Sequence, residues 1–458
     1  MGRPRAHRES ATDVVSFADA RRAWFKVSLQ TFGGPAGQIA VMHREFVDER
    51  RWIGEDRFVH ALSYCTLLPG PEAQQLAIYI GWLLNGTSGG LMAGILFVLP
   101  GYLAIMALSV IYAAFGNSTV VTALFAGVAP AVLAIVAQAL WRVGGRALKN
   151  RLLVLVAVLA FMALFAFAVP FPLVIAGAGI VGFVGGRQRP ALFTTASHAA
   201  AMPGVVPPLI ADDALHGEKP SWGRAKNILM IGLALWITPI VALGLTFGRR
   251  SIFVEQGTFF AGTALVTFGG AYAVLSYVAQ RAVSVYHWLL PGEMIKGLAM
   301  AETTPGPLIQ VVQFVAFIGA YRDPGTLNPW VAAILAATLV TWVTYVPCFV
   351  FIFLGAPHIE ALRGNRNLST TLSAITAAVV GVIANLALFF SAHTLFAKVN
   401  HQRYGLVRIG VPDWATFSPR AAAVSALAFV LAFKLRWSVL RILGVCAVVG
   451  AALYLVTY

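Results

Sequence analysis

Two short motifs rich in proline and glycine carry the residues of this sequence that are best suited to bind a ligand. Each reads Pro-Gly-Pro, at residues 69–71 and 305–307, and each is followed three residues later by a glutamine. Proline suits the first turn of a helix because its missing N–H would be unpaired there anyway. The backbone amides that follow favour an anion, and glutamine adds uncharged donors without the desolvation cost of a buried cation. The motifs therefore predict an oxyanion site rather than a cation site.

A second pair of motifs interrupts apolar segments with two adjacent glycines. The sequence FGGP at residues 32–35 returns as FGGA at residues 268–271. Glycine and proline in membrane helices also serve close packing and kinks alone, but the duplication of the whole set favours a binding role. The predicted substrate-binding residues are Gly33, Gly34, Pro35, Gln38, Pro69, Gly70, Pro71, Gln74, Gly269, Gly270, Pro305, Gly306, Pro307 and Gln310.

Four ionisable residues stand close to the Pro-Gly-Pro motifs. Glu72 directly follows the first motif, and Glu302 precedes the second. A carboxylate beside a dianion repels it unless it binds a proton, so both are candidates for proton coupling. For Glu72, a helix-start charge stabilised by the dipole is the alternative. His60 and Lys296 occupy related positions nine residues before each motif, and are candidate cationic ligands unless they extend to the membrane interface.

The composition is that of a polytopic membrane protein. Of the 458 residues, 59% are hydrophobic and 11% are charged, whereas a soluble domain has about 25% charged residues. Apolar runs close to the roughly 20 residues that span a bilayer recur along the chain. The net charge of +15 lies mainly in short connections between these runs, which indicates membrane topology rather than nucleic-acid binding. The sequence therefore predicts an all-α polytopic protein with broken or re-entrant helices.

The chain also contains an internal repeat. Adding 236 to the number of Trp52 gives Trp288, and the same offset relates the two sets of motifs, while an offset of 247 pairs Pro100 with Pro347. The repeats cover about residues 24–140 and 260–390. Five predicted spans separate them, and an odd number makes the second repeat inverted. The spans lie at residues 91–114, 120–140, 152–168, 171–186 and 228–247. The third and fourth are short, and a single span in their place would make the repeats parallel.

The predicted organisation has two transmembrane halves. A cytoplasmic N-terminal segment occupies residues 1–23, the first half residues 24–186, a cytoplasmic loop residues 187–227, and the second half residues 228–458. The N-terminal segment has neither an apolar core nor a small-residue cleavage site, so we predict no removable signal peptide. The distribution of Lys and Arg places the N-terminus inside. Whether the motif segments cross the membrane or re-enter on one side stays open.

The sequence favours transport over catalysis. It contains no Walker motif, zinc signature or nucleophile elbow, so we predict no enzyme activity, cofactor or metal site. Cys65, Cys348 and Cys446 lie far apart without ligand spacing. A passive anion channel stays open beside a transporter, because broken helices also line pores.

Four stretches of the sequence resemble the chromate ion transporter family in its long, duplicated form. They are FGGPAGQIA at residues 32–40, RRWI at 50–53, LLPGPEAQQL at 67–76 and AETTPGPL at 301–308, and the resemblance covers about residues 20–455. It implies a multi-pass protein of the bacterial inner membrane that expels chromate and confers resistance. Sulfate, a similar tetrahedral dianion, is the alternative substrate. The family pattern often has an acidic residue where this chain has Lys296, which argues against a general anion-binding role there. A homodimer is one arrangement that the sequence leaves open.

Overall fold

The computed structural model describes residues 14–32, 34–66, 68–116, 118–188, 209–210, 221–268, 271–290, 292–356, 366–404 and 407–456. Sixteen α-helices lie in these residues: Phe17–Ser28 (α1), Gly34–His43 (α2), Glu55–Cys65 (α3), Glu72–Phe115 (α4), Thr119–Ala147 (α5), Arg151–Phe165 (α6), Phe171–Gln188 (α7), Trp222–Phe247 (α8), Ile252–Leu265 (α9), Ala271–Ser284 (α10), Glu293–Thr303 (α11), Val311–Arg322 (α12), Pro329–Gly355 (α13), Arg366–Leu395 (α14), Pro419–Phe429 (α15) and Val439–Leu455 (α16).

Six of these helices are long and apolar enough to cross a membrane, namely α4, α5, α7, α8, α13 and α14. Shorter apolar helices include α6, α12 and α16. The prediction of an all-α polytopic membrane protein is therefore confirmed. One small β-hairpin was not predicted: strands Val399–Tyr404 (β1) and Val407–Pro412 (β2) pair antiparallel between α14 and α15.

Helix α4 is a hairpin of two helical parts. The backbone leaves the helical region at Asn85 (φ −142°) and Gly86 (φ 61°). The chain then folds back, so that Gly89 packs closely against Gly81, and Gly94 against Ile78. The first part, residues 72–84, is buried almost throughout, whereas the second part, residues 87–115, is exposed along one side. The second part contains the predicted span at 91–114.

The two short predicted spans between the repeats are separate helices, α6 and α7. A turn at residues 166–170 divides them, where Ala168 has φ +49° and the amide of Val169 donates to the carbonyl of Ala163 at 2.9 Å. Both helices pack against α14: Ala157 of α6 lies beside Gly381, and Gly186 of α7 beside Thr370. Five helical segments therefore lie between the motifs of the first half and α9, the helix that begins the second repeat, with α8 beginning at Trp222 rather than at residue 228.

The order of helices is the same in both halves. At the offset of 236, helices α1, α2, α3 and the first part of α4 correspond to α9, α10, α11 and α12. At the offset of 247, the second part of α4 and α5 correspond to α13 and α14. The offset changes where the kink at residues 85–86 in the first half is replaced by a longer loop at residues 323–328 in the second.

The two halves share their cores. One buried cluster combines α1 to α3 and the first part of α4 with the end of α13, through Cys348 and Ile352. The other combines α9 to α13 with the end of α4 and with α5, through Ile105 and Ile135. Because each core contains helices from the other half, the halves are not independent folding units.

Candidate functional site

The helix breaks of each half are hydrogen-bonded to the breaks of the other half. The amide of Gly306, in the second Pro-Gly-Pro motif, donates to the carbonyl of Thr31 at 3.0 Å, beside the first Gly-Gly motif. The amide of Gly70, in the first Pro-Gly-Pro motif, donates to the carbonyl of Thr267 at 2.7 Å, beside the second Gly-Gly motif. Since the offset of 236 relates Thr31 to Thr267 and Gly70 to Gly306, the contact is reciprocal, as between copies related by a two-fold axis. We call these two hydrogen bonds the crossed contact.

Both glycines of the crossed contact adopt backbone conformations that favour glycine. The angle φ is +120° at Gly70 and +104° at Gly306, values that other residues rarely adopt. A Cβ at Gly70 would lie 2.8 Å from the Sγ of Cys348, and a Cβ at Gly306 would lie 3.3 Å from the Cα of Gly101. Cys348 and Gly101 are themselves related by the offset of 247. Each Pro-Gly-Pro motif therefore packs directly against a helix of the opposite half.

New helices begin at the predicted motifs. Helix α2 begins at Gly34, where φ is +75°, so Pro35 lies in its first turn as predicted. Pro71 instead precedes α4, so the prediction that it belongs to the first turn is wrong by one residue. Pro307 likewise precedes a 3-10 turn at Leu308–Gln310 that leads into α12, and neither Pro71 nor Pro307 provides a side-chain cap. The first amides of these helices are therefore suited to donate to a ligand.

The predicted glutamines differ in their hydrogen bonding. The Nε2 of Gln38 donates to the carbonyl of Gly306, which ties α2 to the crossed contact. The Nε2 of Gln310 donates to Gln313, while the Oε1 of Gln310 is buried and has no partner in the part of the chain that the structure describes. Gln74 is fully buried, and among the described residues neither its Oε1 nor its Nε2 has a partner. Buried polar groups are almost always hydrogen-bonded, so Gln74 is the glutamine best placed to bind a ligand.

Of the two carboxylates, Glu302 is the one that is buried and hydrogen-bonded to another helix. Its side chain is buried at the end of α11, and Tyr272 of α10 donates its hydroxyl hydrogen to Oε1. The other oxygen, Oε2, is buried and has no partner among the described residues. Glu72 is half-buried as the first residue of α4. Its position at the helix start agrees with a charge stabilised by the helix dipole as well as it agrees with a role in proton coupling.

Lys296 lies in a separate polar cluster. Its Nζ is 3.3 Å from the hydroxyl of Tyr112 and lies over that ring, 5.3 Å from its centroid. Beside it, Arg322 forms two hydrogen bonds with Glu293, at 2.7 and 2.8 Å, and Tyr112 donates to the same carboxylate at 2.9 Å. Six residues of α11, about 9 Å along a helix, separate Lys296 from Glu302. The structure therefore does not bring Lys296 into the crossed contact.

Four of the predicted residues lie wholly or partly outside the described part of the structure. Gly33, Gly269 and Gly270 lie outside the described residues. His60 belongs to α3, but its side chain is outside the described part of the structure.

Sequence reasoning missed three residues that the structure places at the site. Thr31 and Thr267 accept the two hydrogen bonds of the crossed contact, and their identity at the offset of 236 was the available signal. Tyr272 contacts Glu302 across a separation of 30 residues. In the sequence, the role of Tyr272 was indicated only by its position directly after the second Gly-Gly motif.

A cavity of about 530 Å³ opens between α4, α8 and α13. Most of its lining is aliphatic or aromatic, with Leu91 and Ile95 toward the exterior. Polar groups from Gln74, Thr341 and Tyr345 also line it. The outer part suits lipid chains rather than an anion, so the polar lining that includes Gln74 is the part relevant to the site.

Comparison with known proteins identifies relatives of the whole chain. It is 29% identical to the chromate transport protein of Pseudomonas aeruginosa over 460 residues, which is 98% of this chain and 96% of that protein. It is 25% identical to the chromate transport protein of Cupriavidus metallidurans, over 80% of each chain. A probable chromate transport protein of Synechococcus elongatus is 24% identical over 83% of this chain and 86% of its own length. No solved structure matches the chain.

The family described as Chromate transporter matches two regions of the chain, residues 19–183 and 254–451. The two regions contain the two sets of helix breaks that form the crossed contact. The predicted resemblance is confirmed, and the chain belongs to the chromate transporter family, a family of transporters, in its duplicated form.

Proposed function

We propose that the protein is a secondary transporter that exports chromate across the bacterial inner membrane and so confers chromate resistance. Family membership and the named chromate transport proteins among its relatives support the substrate. The observation that carries the site is the crossed contact, where helix starts without side-chain caps lie beside the buried, unpaired amide of Gln74. Amides and helix dipoles at such starts bind oxyanions.

The proposed site binds its anion with neutral groups. Gln74 offers an amide, and the starts of α2 and α4 offer backbone N–H donors near Gly34 and Gly70. These donors recognise the shape and charge of a tetrahedral dianion rather than its central atom. Sulfate is therefore the natural competitor, and we propose chromate as the transported ion because of the relatives' names.

We further propose that the two repeats are inverted. The second part of α4 and α13 are equivalent helices, and they pack antiparallel: Gly94 lies against Phe349, whereas Tyr102 bonds to Thr338 at 2.8 Å. A two-fold axis that relates two antiparallel helices is perpendicular to both. If both helices cross the bilayer, that axis lies in the membrane plane, as in transporters with inverted repeats. Such a pair can open the same site alternately to either side.

The proposed coupling ion is the proton, bound at Glu302; a dianion that carries one proton keeps one net negative charge, so a membrane potential that is negative inside favours its exit. A buried carboxylate beside an anion site changes the charge of that site by one unit when it binds a proton. The N-terminal segment is proposed to be cytoplasmic, as the Lys and Arg distribution of the sequence indicates.

The test is uptake of labelled chromate into inverted membrane vesicles that contain the full chain, with and without a proton gradient. Export in the cell corresponds to accumulation in these vesicles. Vesicles that carry Gly177→Ala provide the control for expression, because that glycine of α7 has no neighbour within 4 Å of an added Cβ. Equilibration without accumulation would identify a passive channel, and preferential uptake of sulfate would replace chromate as the substrate.

A further inference from the structure

The hydroxyl of Tyr272 lies between the buried carboxyl group of Glu302 and the helix start at Gly34. It donates to the Oε1 of Glu302, and an added Cβ at Gly34 would lie 3.7 Å from the same hydroxyl oxygen. Tyr272 and Glu302 belong to the second half of the chain, and Gly34 begins α2 in the first half. One hydroxyl group therefore bonds to a proton-binding group on one side and lies beside a candidate anion-binding helix start on the other.

A tyrosine hydroxyl has one hydrogen to donate. While Glu302 is ionised, that hydrogen forms a charge-assisted bond to the carboxylate, which is the stronger kind of hydrogen bond. An anion at the start of α2 would then meet only the hydroxyl lone pairs, with a negative carboxylate behind them. When a proton binds the unpaired Oε2 of Glu302, the carboxyl group is neutral and holds the Tyr272 hydrogen less strongly. The hydrogen can then turn toward an anion.

We propose that Tyr272 couples proton binding at Glu302 to anion binding at the start of α2, by transferring its hydrogen bond from the carboxylate to the oxyanion. The inference rests on the proposed anion transport and assigns its coupling to one further residue. No bond is formed or broken other than the binding of one proton to Glu302. Because the two ligands then stabilise each other's binding, the proton and the anion bind together rather than in exchange.

The surroundings of Glu302 leave few other partners for this role. From α10 the facing titratable group is Tyr272, and from α5 Arg142 acts on the carboxylate through its charge. Arg142 is exposed and bonds to Gln138 of its own helix at 3.1 Å. Among the described residues, Tyr272 is thus the group that bonds to Glu302 and lies beside the helix start.

The experiment measures chromate affinity of the purified full chain by calorimetry, from acidic to alkaline pH. Wild-type affinity is expected to increase on acidification. The Tyr272→Phe variant keeps the ring and loses the hydrogen, so its affinity at acidic pH should fall about ten- to a hundredfold, with a flattened pH dependence. Glu302→Gln should bind with similar affinity at every pH, and addition of Tyr272→Phe to it should still weaken binding. Tyr277→Phe on the same helix, where the ring stacks on Phe171, is the matched control.

Three results would overturn the coupling role. If Tyr272→Phe reduces affinity by the same factor at every pH, the residue only supports the local structure. If it changes neither affinity nor pH dependence while Glu302→Gln does, the hydroxyl plays no part. A wild-type protein that binds chromate without any pH dependence would also refute the coupling but leave the proposed substrate standing. Failure of the wild type to bind chromate at any pH would instead refute the proposed function itself.

Discussion

Replacement of Gly70 by alanine is the most direct test of the crossed contact. At φ +120° an alanine is strained, at a cost of about 1–3 kcal/mol. Its Cβ would also lie 2.8 Å from the Sγ of Cys348, and overpacking of this kind costs about 1–3 kcal/mol. The sum, about 2–6 kcal/mol, applies to any conformation in which the contact is formed. A shift of 2 kcal/mol already changes a conformational equilibrium about thirtyfold, so transport should fall at least that much.

The structure also predicts an order among glycine variants. Gly306→Ala has similar strain but a looser neighbour, since its Cβ would lie 3.3 Å from Gly101. It should therefore reduce transport less than Gly70→Ala, and Gly177→Ala should not reduce it. Adding Cys348→Ala should restore part of the activity lost by Gly70→Ala, because it removes the sulfur but not the strain. The same addition should not help Gly306→Ala.

The assay is chromate uptake by inverted vesicles, normalised to the amount of each variant in the membrane. Chromate tolerance of a sensitive bacterial host provides a second readout. Transport by Gly70→Ala equal to that of Gly177→Ala would refute the reasoning, since the contact would then have no part in the cycle. If Cys348→Ala restored transport equally in both glycine variants, a clash between the Cβ of residue 70 and the sulfur of Cys348 could not explain the loss in Gly70→Ala.

Three further predictions concern other parts of the chain. Gln74→Leu should abolish chromate binding, measured by calorimetry. It should not lower the melting temperature, because the substitution removes no hydrogen bond to the described part of the protein. A lower melting temperature with intact binding would contradict this prediction. Burial disfavours ionisation of Glu45, but hydrogen bonds from Lys26 and Arg50 outweigh it and lower the pKa of that carboxyl group. Its contribution to stability is therefore present at neutral pH and lost as the pH falls through that pKa, so thermal melts of Glu45→Gln should differ from wild type at neutral pH and converge in acid. Finally, single cysteines at residues 119 and 366, equivalent starts of α5 and α14, should react with an impermeant maleimide from opposite sides of the membrane if the repeats are inverted.

The sequence predicted the helix breaks because glycine and proline act locally. A left-handed φ at Gly70 and a helix start within one residue of Pro71 follow from the residues themselves. The hairpin at Asn85 and Gly86 also had a local signal, since this dipeptide favours turns, but it lies within a continuous apolar run that reads as helix. The sequence of the β-hairpin between α14 and α15 is short and lacks the long apolar run that identifies the spans, so the hairpin was not predicted.

The pairing of the breaks could not be predicted from the sequence alone. The repeat shows which residues are equivalent. It does not show whether a Gly-Gly motif lies beside the other Gly-Gly motif or beside a Pro-Gly-Pro motif. The structure shows that Thr31 and Thr267, each directly before a Gly-Gly motif, bond to the Pro-Gly-Pro motif of the other half. The contact of Tyr272 with Glu302 likewise depends on how α10 packs near α11, which no spacing in the sequence specifies.

The differences between the halves are as informative as their likeness. At the offset of 236, the positions of Tyr272 and Glu302 hold Ala36 and Thr66 in the first half. The crossed contact itself is present in both copies, since it needs only the carbonyls of Thr31 and Thr267 and the amides of Gly70 and Gly306. In the proposed alternating access, two equivalent contacts would allow the two halves to exchange conformations. In the proposed transporter, the Tyr272 and Glu302 pair occurs in the second half only, so the divergence of the repeats would set a coupling ratio of one proton per anion.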